Sequence, residues 1–168
     1  MIQTERVRFR PLTEDDAEFA FRLMTDPEWI RYIGDRGIGS AEDARAYLVR
    51  VYLPLYAEPG FGLMGVEVAG ELAGVCGILK RDALDDPDLA FAFLPRFRGR
   101  GLAREAAEAA LRHAYGTLGL TRVAAIVDPE NAASIRLLEA LGFRFQRQLR
   151  LAPDAPEVAL YGSGGRPE

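Results

Sequence analysis

The sequence predicts a mixed α/β fold of the α+β kind, with helices around one sheet, and three observations predict it. Apolar residues alternate with period two in some stretches and recur at helical spacing in others, and the two patterns interleave along the chain. With 168 residues, 49% of them hydrophobic and 27% charged, the chain can fill one sizeable core and is too short for two ordinary ones. A strongly apolar strand pattern runs directly into a Gly/Arg-rich turn and then an Ala-rich helix over residues 94–106. The expectation is a single domain over residues 1–168, with residues 162–168 a frayed tail.

Each element follows from its local pattern. Val7, Phe9 and Pro11 alternate with Arg6, Arg8 and Arg10, which predicts a first strand. Thr13 is an N-cap ahead of the acidic turn Glu14, Asp15 and Asp16, and the helix it opens runs to about Asp26 and Pro27. A short helical piece at residues 28–32 leads into a Gly/Asp/Arg loop at residues 34–39. Ser40 caps a further helix carrying Tyr47, Leu48, Val51 and Leu55, broken near Pro54 and stopped by Pro59 and Gly60. Two strands then flank Ala69, Gly70 and Glu71, a hairpin signal. Residues 89–94 are apolar throughout, as in a central strand buried on both faces. A helix over residues 102–118, a strand over 122–127, a helix capped by Asn131 and ended by Gly142, and two last strands complete seven strands.

Composition narrows the function. Basic residues number 21 against 25 acidic, a net charge of −4, which argues against general nucleic-acid binding. A single cysteine, Cys76, excludes an intrachain disulfide and a Cys-rich zinc site, and a single histidine, His113, excludes a multi-His metal site. No metal is expected. No stretch has the roughly 20 apolar residues of a membrane span, and the first residues lack the apolar core of a signal peptide. The expected setting is cytoplasmic, with no nucleic-acid or membrane partner.

The chemistry concentrates in the turn after Pro95. Such a strand–turn–helix aims unpaired backbone N–H groups at one point, and the helix dipole adds about half a positive charge there. Gly99 and Gly101 allow close backbone approach, while Arg96, Arg98, Arg100 and Arg104 add cations. The pattern points to a pyrophosphate site. It is not a P-loop, because no Gly-Lys-Ser/Thr follows, and Arg104 stands where a dinucleotide fingerprint needs its third glycine. A solvated Arg-rich turn is the competing reading. A second segment, Asp128-Pro-Glu-Asn131-Ala-Ala-Ser134, also leads from a strand into a helix; Asn131 as a cap and Ser134 in the first turn need no function by themselves.

Taken together, these segments resemble the GCN5-related N-acetyltransferase (GNAT) superfamily. Arg98-x-x-Gly101-x-Ala103 matches its acetyl-CoA signature, and Asn131-x-x-Ser134 with Gly142-Phe143 resembles its next motif. The opening residues 4–16 and Asp26-Pro27-Glu28 are similar to the branch that contains ribosomal-protein N-terminal acetyltransferases. The resemblance implies a mixed, mostly antiparallel sheet with a V-shaped splay between its fourth and fifth strands and acetyl-CoA lying in the gap. Backbone groups of Phe91, Ala92 and Phe93 would pair with the pantetheine arm. The segment Arg98, Gly99, Arg100, Gly101, Leu102, Ala103 and Arg104 would hold the pyrophosphate, and Asn131 and Ser134 would contact the cofactor. The implied reaction is direct transfer of acetyl, in a ternary complex, to a primary amine on a small molecule or a protein N-terminus. A non-catalytic acyl-CoA sensor or partner module is the alternative, and a homodimer is left open.

Direct transfer needs a neutral amine, an oxyanion donor and help for the leaving thiolate. For the oxyanion the expectation is the backbone N–H of Phe93, freed by a bulge in its strand. Relatives often carry Tyr seven residues after the Asn position; here that residue is Leu138, so Ser134 is the candidate at the sulfur, with Tyr161 behind it. Asp88, at the start of the central strand, is the candidate base, with Glu67, Glu71 and a water chain as alternatives. The acceptor would meet Asp35, Arg36 and Trp29. Tyr32, Tyr47 and Tyr52 either line the same cleft or fill the core.

Overall fold

The computed structural model describes residues 1–164. A seven-stranded sheet organises them in the order β1-β2-β3-β4-β5-β7-β6. β1 (Val7–Arg10), β2 (Gly62–Val68), β3 (Glu71–Leu79) and β4 (Asp88–Phe93) form an antiparallel half, while β5 (Arg122–Val127), β6 (Arg144–Arg150) and β7 (Glu157–Gly164) form a second. The halves are joined by one parallel pair, β4 beside β5, whose register consists of Asp88 opposite Ala124 alone. The Ala124 N–H donates to the Pro87 carbonyl at 2.8 Å. Beyond that point the two strands diverge, as the family resemblance implies.

Local signals account for the helices. Thr13 and Asp16 form a reciprocal capping box ahead of a single 3-10 turn, and α1 (Ala17–Met24) follows. Asp26 caps α2 (Pro27–Tyr32) with Pro27 at its first position, where a missing N–H costs nothing. Ser40 caps α3 (Ala41–Tyr47), which widens to a π turn over Leu48–Tyr52 and tightens to a 3-10 turn at Pro54. α4 (Leu102–Gly116) buries five alanines with Leu102, Leu111 and Tyr115, and those small residues let it lie close over β3 and β4. Asn131 caps α5 (Ala132–Ala140), and Gly142 ends it at φ +88°. The β2–β3 hairpin turns at Ala69 and Gly70, both at positive φ, the handedness that a two-residue turn requires.

Two expectations are corrected. The tail is not frayed from residue 162: Gly162, Ser163 and Gly164 continue β7 opposite Ala124, Val123 and Arg122. Pairing with β5 holds all three, Gly162 also pairs with Arg144 of β6, and the buried Ser163 hydroxyl meets the Tyr115 hydroxyl. Residues 165–168 lie outside the described residues. β4 also carries no bulge: its register with β3 is regular from Leu79↔Asp88 to Gly74↔Phe93, and the nearest irregularity falls in β2, between Val66 and Glu67. Among the described residues no helix is long and apolar enough to cross a membrane.

Candidate active site

The splay leaves one edge of β4 open. The Leu94 N–H donates to the Ala73 carbonyl at 2.8 Å, so by antiparallel alternation the backbone polar groups of Phe93 and Phe91 face away from β3. They point towards β5, which is no longer alongside. Regular alternation therefore does what the expected bulge was invoked to do. Ala92 has the opposite phase and is paired with Val75 on β3.

The turn after β4 is built to present amides. Gly99 and Gly101 have φ +72° and +74°, a conformation that strains any residue with a Cβ. Gly101 is the N-cap of α4 and supplies no side-chain cap, so the first amides of this helix keep their hydrogens free of side-chain acceptors. The carbonyls of the turn are turned elsewhere: that of Arg100 accepts Arg6 Nη1 at 2.9 Å, and Arg6 Nε holds Glu105 at 2.6 Å. Glu105 also accepts the Thr4 hydroxyl, and these bonds hold its carboxyl below the usual range. A chain end is thus fastened across the helix start, fixing the turn from behind.

Two cavities meet along the open edge. The first, about 310 Å3, is lined by Phe93, Arg98, Gly99, Gly101 and the first residues of α4. The second, about 440 Å3, runs towards the root of the splay and is lined by Arg36, Tyr47, Tyr52, Arg81, Asp88 and Asp128 among others. Trp29, Tyr32, Phe91, Ala92, Asn131 and Ser134 line both. Ser134 therefore stands at the junction. Its N–H is capped by Asn131 Oδ1 at 3.2 Å, while no hydrogen bond of its hydroxyl is found among the described residues.

Most of the residues predicted for the site come together. Phe91, Ala92, Phe93, Arg98, Gly99, Gly101, Leu102, Ala103, Arg104, Asn131 and Ser134 all line the first cavity. Arg100 does not; its guanidinium lies over the Phe97 ring at 5.7 Å. Arg36 and Trp29 line the second cavity, as do Tyr32, Tyr47 and Tyr52, but Asp35 is turned out and accepts the Gly37 N–H at 2.8 Å. Arg98 reaches back to α2, with Nη2 at 2.6 Å from Asp26 and Nη1 at 3.0 Å from Glu28. Its side chain braces the turn.

Asp88 is fully buried at the root of the splay, and both of its oxygens lie 3.1 Å from Arg81 Nε. Burial pushes its carboxyl up and Arg81 pulls it back. This carboxylate holds a guanidinium in place. The other candidate bases are engaged elsewhere: Glu67 with Arg10 at 2.7 Å and Glu71 with Arg96. Asp128, passed over in the sequence, lines the second cavity and uses one oxygen on the Glu130 N–H. A carboxylate just ahead of a helix cap reads as a turn residue, so only the fold places it in the same cavity as Ser134. Tyr161 packs against Phe145 away from both cavities, His113 bonds the Gly60 carbonyl, and the buried Cys76 thiol is pushed up by desolvation.

Comparison with known proteins places this geometry in a family. Residues 6–144 match the acetyltransferase (GNAT) domain. An uncharacterized N-acetyltransferase of Bacillus subtilis, YoaA, is 30% identical over 89% of this chain and 86% of its own. The spermidine N(1)-acetyltransferase of Escherichia coli is 25% identical over 89% of this chain and 78% of its own. In fold, the chain resembles RimL, a ribosomal α-N-protein acetyltransferase solved in complex with coenzyme A, with a TM-score of 0.81 over 97% of each chain at 16% identity. The chain belongs to the GNAT acetyltransferase family.

Proposed function

We propose that the protein transfers the acetyl group of acetyl-CoA to a primary amine, with the two substrates meeting where the two cavities join. The observation that carries the reading is the position of Ser134 between a turn suited to phosphate and a separate chamber suited to an acceptor.

The first cavity fits the cofactor chemically. The free amides at the start of α4, backed by Arg104 on the same turn, suit a diphosphate. The open backbone groups of Phe91 and Phe93 suit the amides of a pantetheine arm, which would add to β4 like a strand. A thioester carried on that arm would reach the junction. There the Phe93 N–H serves the developing oxyanion, and the Ser134 hydroxyl hydrogen-bonds the departing thiolate. Collapse of the tetrahedral adduct breaks the C–S bond and leaves an amide and a free thiol. The attacking amine must first lose its proton, since an alkylamine is about three units too basic at pH 7. Asp128, a cavity carboxylate with one oxygen unbonded among the described residues, is the group we assign to that proton in place of the buried Asp88.

Thiol release from acetyl-CoA against a panel of amines tests the reading, with Ser134→Ala beside the wild type. The variant is expected to lower kcat about tenfold to a hundredfold, with little change in acetyl-CoA affinity. Tight coenzyme A binding with no thiol release on any amine would overturn the enzymatic reading in favour of a binding module. An unaltered kcat in Ser134→Ala would remove Ser134 from the reaction.

A further inference from the structure

We infer that the second cavity contains an anion subsite, formed by the guanidinium groups of Arg36 and Arg81 with the Tyr52 hydroxyl, and that the acceptor is a primary amine carrying a carboxylate or phosphate. The inference rests on the acetyltransferase reading above for the identity of the ligand as acceptor, but the subsite has its own physical basis.

The cations facing the cavity are not all engaged. Arg81 uses its Nε on Asp88, which leaves its two terminal nitrogens without a hydrogen bond among the described residues. Arg36 lines the same wall and makes no ion pair among the described residues. Lys80, also on the lining, is taken by Glu58. With Asp128 counted, two guanidinium groups meet two carboxylates in the lining, but Arg36 is paired with neither carboxylate among the described residues. The walls around them are largely aromatic and aliphatic.

Tyr52 supplies the independent observation. It is 4% exposed and lines the cavity, yet its hydroxyl has no hydrogen-bond partner among the described residues. The hydroxyl oxygen is not sealed from solvent, so its donor is open to a ligand in the cavity. Arg36, Arg81 and Tyr52 all line this one cavity. Two forked cations and one neutral O–H donor match a planar carboxylate or a phosphate. Asp128, on the loop that leads to Asn131 and Ser134, gives the opposite end of the chamber a negative charge for the amine. The arrangement is complementary to a zwitterion and opposed to a polycation such as spermidine.

Matched acceptors test it: L-phenylalanine against L-phenylalanine amide, with phosphoethanolamine as the phosphate arm and spermidine as the polycation. The carboxylate is expected to exceed its amide in kcat/KM by about tenfold or more, chiefly through KM. Arg36→Gln and Tyr52→Phe should each bring that ratio towards one. Thermal shift with each amine alone gives a readout that needs no turnover: the anionic amines should raise the Tm of the wild type more than that of Arg36→Gln. Loss of thiol release on every amine with the shifts retained would overturn the acetyltransferase reading and leave the subsite standing. Equal kcat/KM within the matched pair, a preference for spermidine, or equal shifts in wild type and variant would overturn the subsite. Preference for phosphoethanolamine over the amino acid would support it and identify the anion as phosphate.

Discussion

Arg98 Nη2 lies 2.6 Å from Asp26 Oδ2, and the same carboxylate caps α2 by accepting the Trp29 N–H at 3.4 Å. One buried side chain therefore ties the glycine turn after β4 to the helix that forms a wall of both cavities. The two sides of the site cannot drift apart without breaking this contact.

Asp26→Ala should cost about 1–2 kcal/mol from the lost cap and lost charged hydrogen bond, a fall in Tm of roughly 2–8 °C. It should also weaken coenzyme A binding several-fold, because Arg98 would no longer brace the turn. Asp26→Asn keeps a capping oxygen and separates the two effects: calorimetry should show a smaller fall in Tm, while titration with coenzyme A should show a comparable loss of affinity. Unchanged affinity in both variants would mean that the turn holds its shape alone.

The order of elements, the Gly/Arg turn and the caps at Thr13, Ser40 and Asn131 were legible because each depends on neighbours in the chain. The ion pairs of Arg98 were not, since its partners Asp26 and Glu28 are distant in sequence and a cation beside glycines suggests phosphate. The surroundings of Asp88 were hidden for a similar reason. At a strand start the residue suggested a reachable carboxylate, whereas burial and Arg81 are consequences of the splay. The open edge at Phe93 was anticipated for the wrong cause, because strand phase depends on which neighbour β4 pairs with. The second cavity was only half visible: Arg36 and Trp29 were singled out, while the tyrosines stayed ambiguous between core and cleft until packing resolved them.

Gly101→Glu should leave the fold intact and abolish tight coenzyme A binding. At φ +74° a side chain adds strain of about 1–2 kcal/mol, and the new Cβ meets Arg6 Nη2 at 3.4 Å, an ordinary contact with a flexible end. The added carboxylate would stand among the amides assigned to phosphate. Circular dichroism should be native and Tm only a few degrees lower, while the affinity for coenzyme A falls at least about tenfold. Native affinity in this variant would refute the phosphate assignment.

Acid stability should depend on Asp16. Arg10 Nη1 and Nη2 hold its carboxylate at 2.8 and 2.9 Å, and the Thr13 N–H donates to it at 2.8 Å. These bonds outweigh desolvation and lower its pKa. A lowered folded-state value means that the unfolded chain binds the proton more readily, so the stabilisation is complete above the ordinary Asp value of about 3.9. It is lost as pH falls through the lower folded value. Thermal melts from about pH 6 down to about pH 3 should show a steeper fall in Tm for the wild type than for Asp16→Asn. Parallel curves would show that other carboxylates govern acid unfolding.

Gly74→Ala should damage the site from the far side of the sheet. Gly74 pairs with Phe93, and a Cβ there would come to 2.3 Å from the Ala92 carbonyl oxygen and 2.9 Å from Phe93 Cα. Both are backbone atoms of β4, so no side-chain rotation relieves the clash, and β4 itself must move towards the splay. Overpacking of this kind costs about 1–3 kcal/mol. The displaced atoms adjoin the Phe93 N–H assigned to the oxyanion, where small shifts in a donor are costly to rate. The variant should therefore melt several degrees lower and lose kcat by more than its folded fraction explains. A variant that loses stability but retains full kcat per folded molecule would show that the Phe93 amide does not serve the transition state.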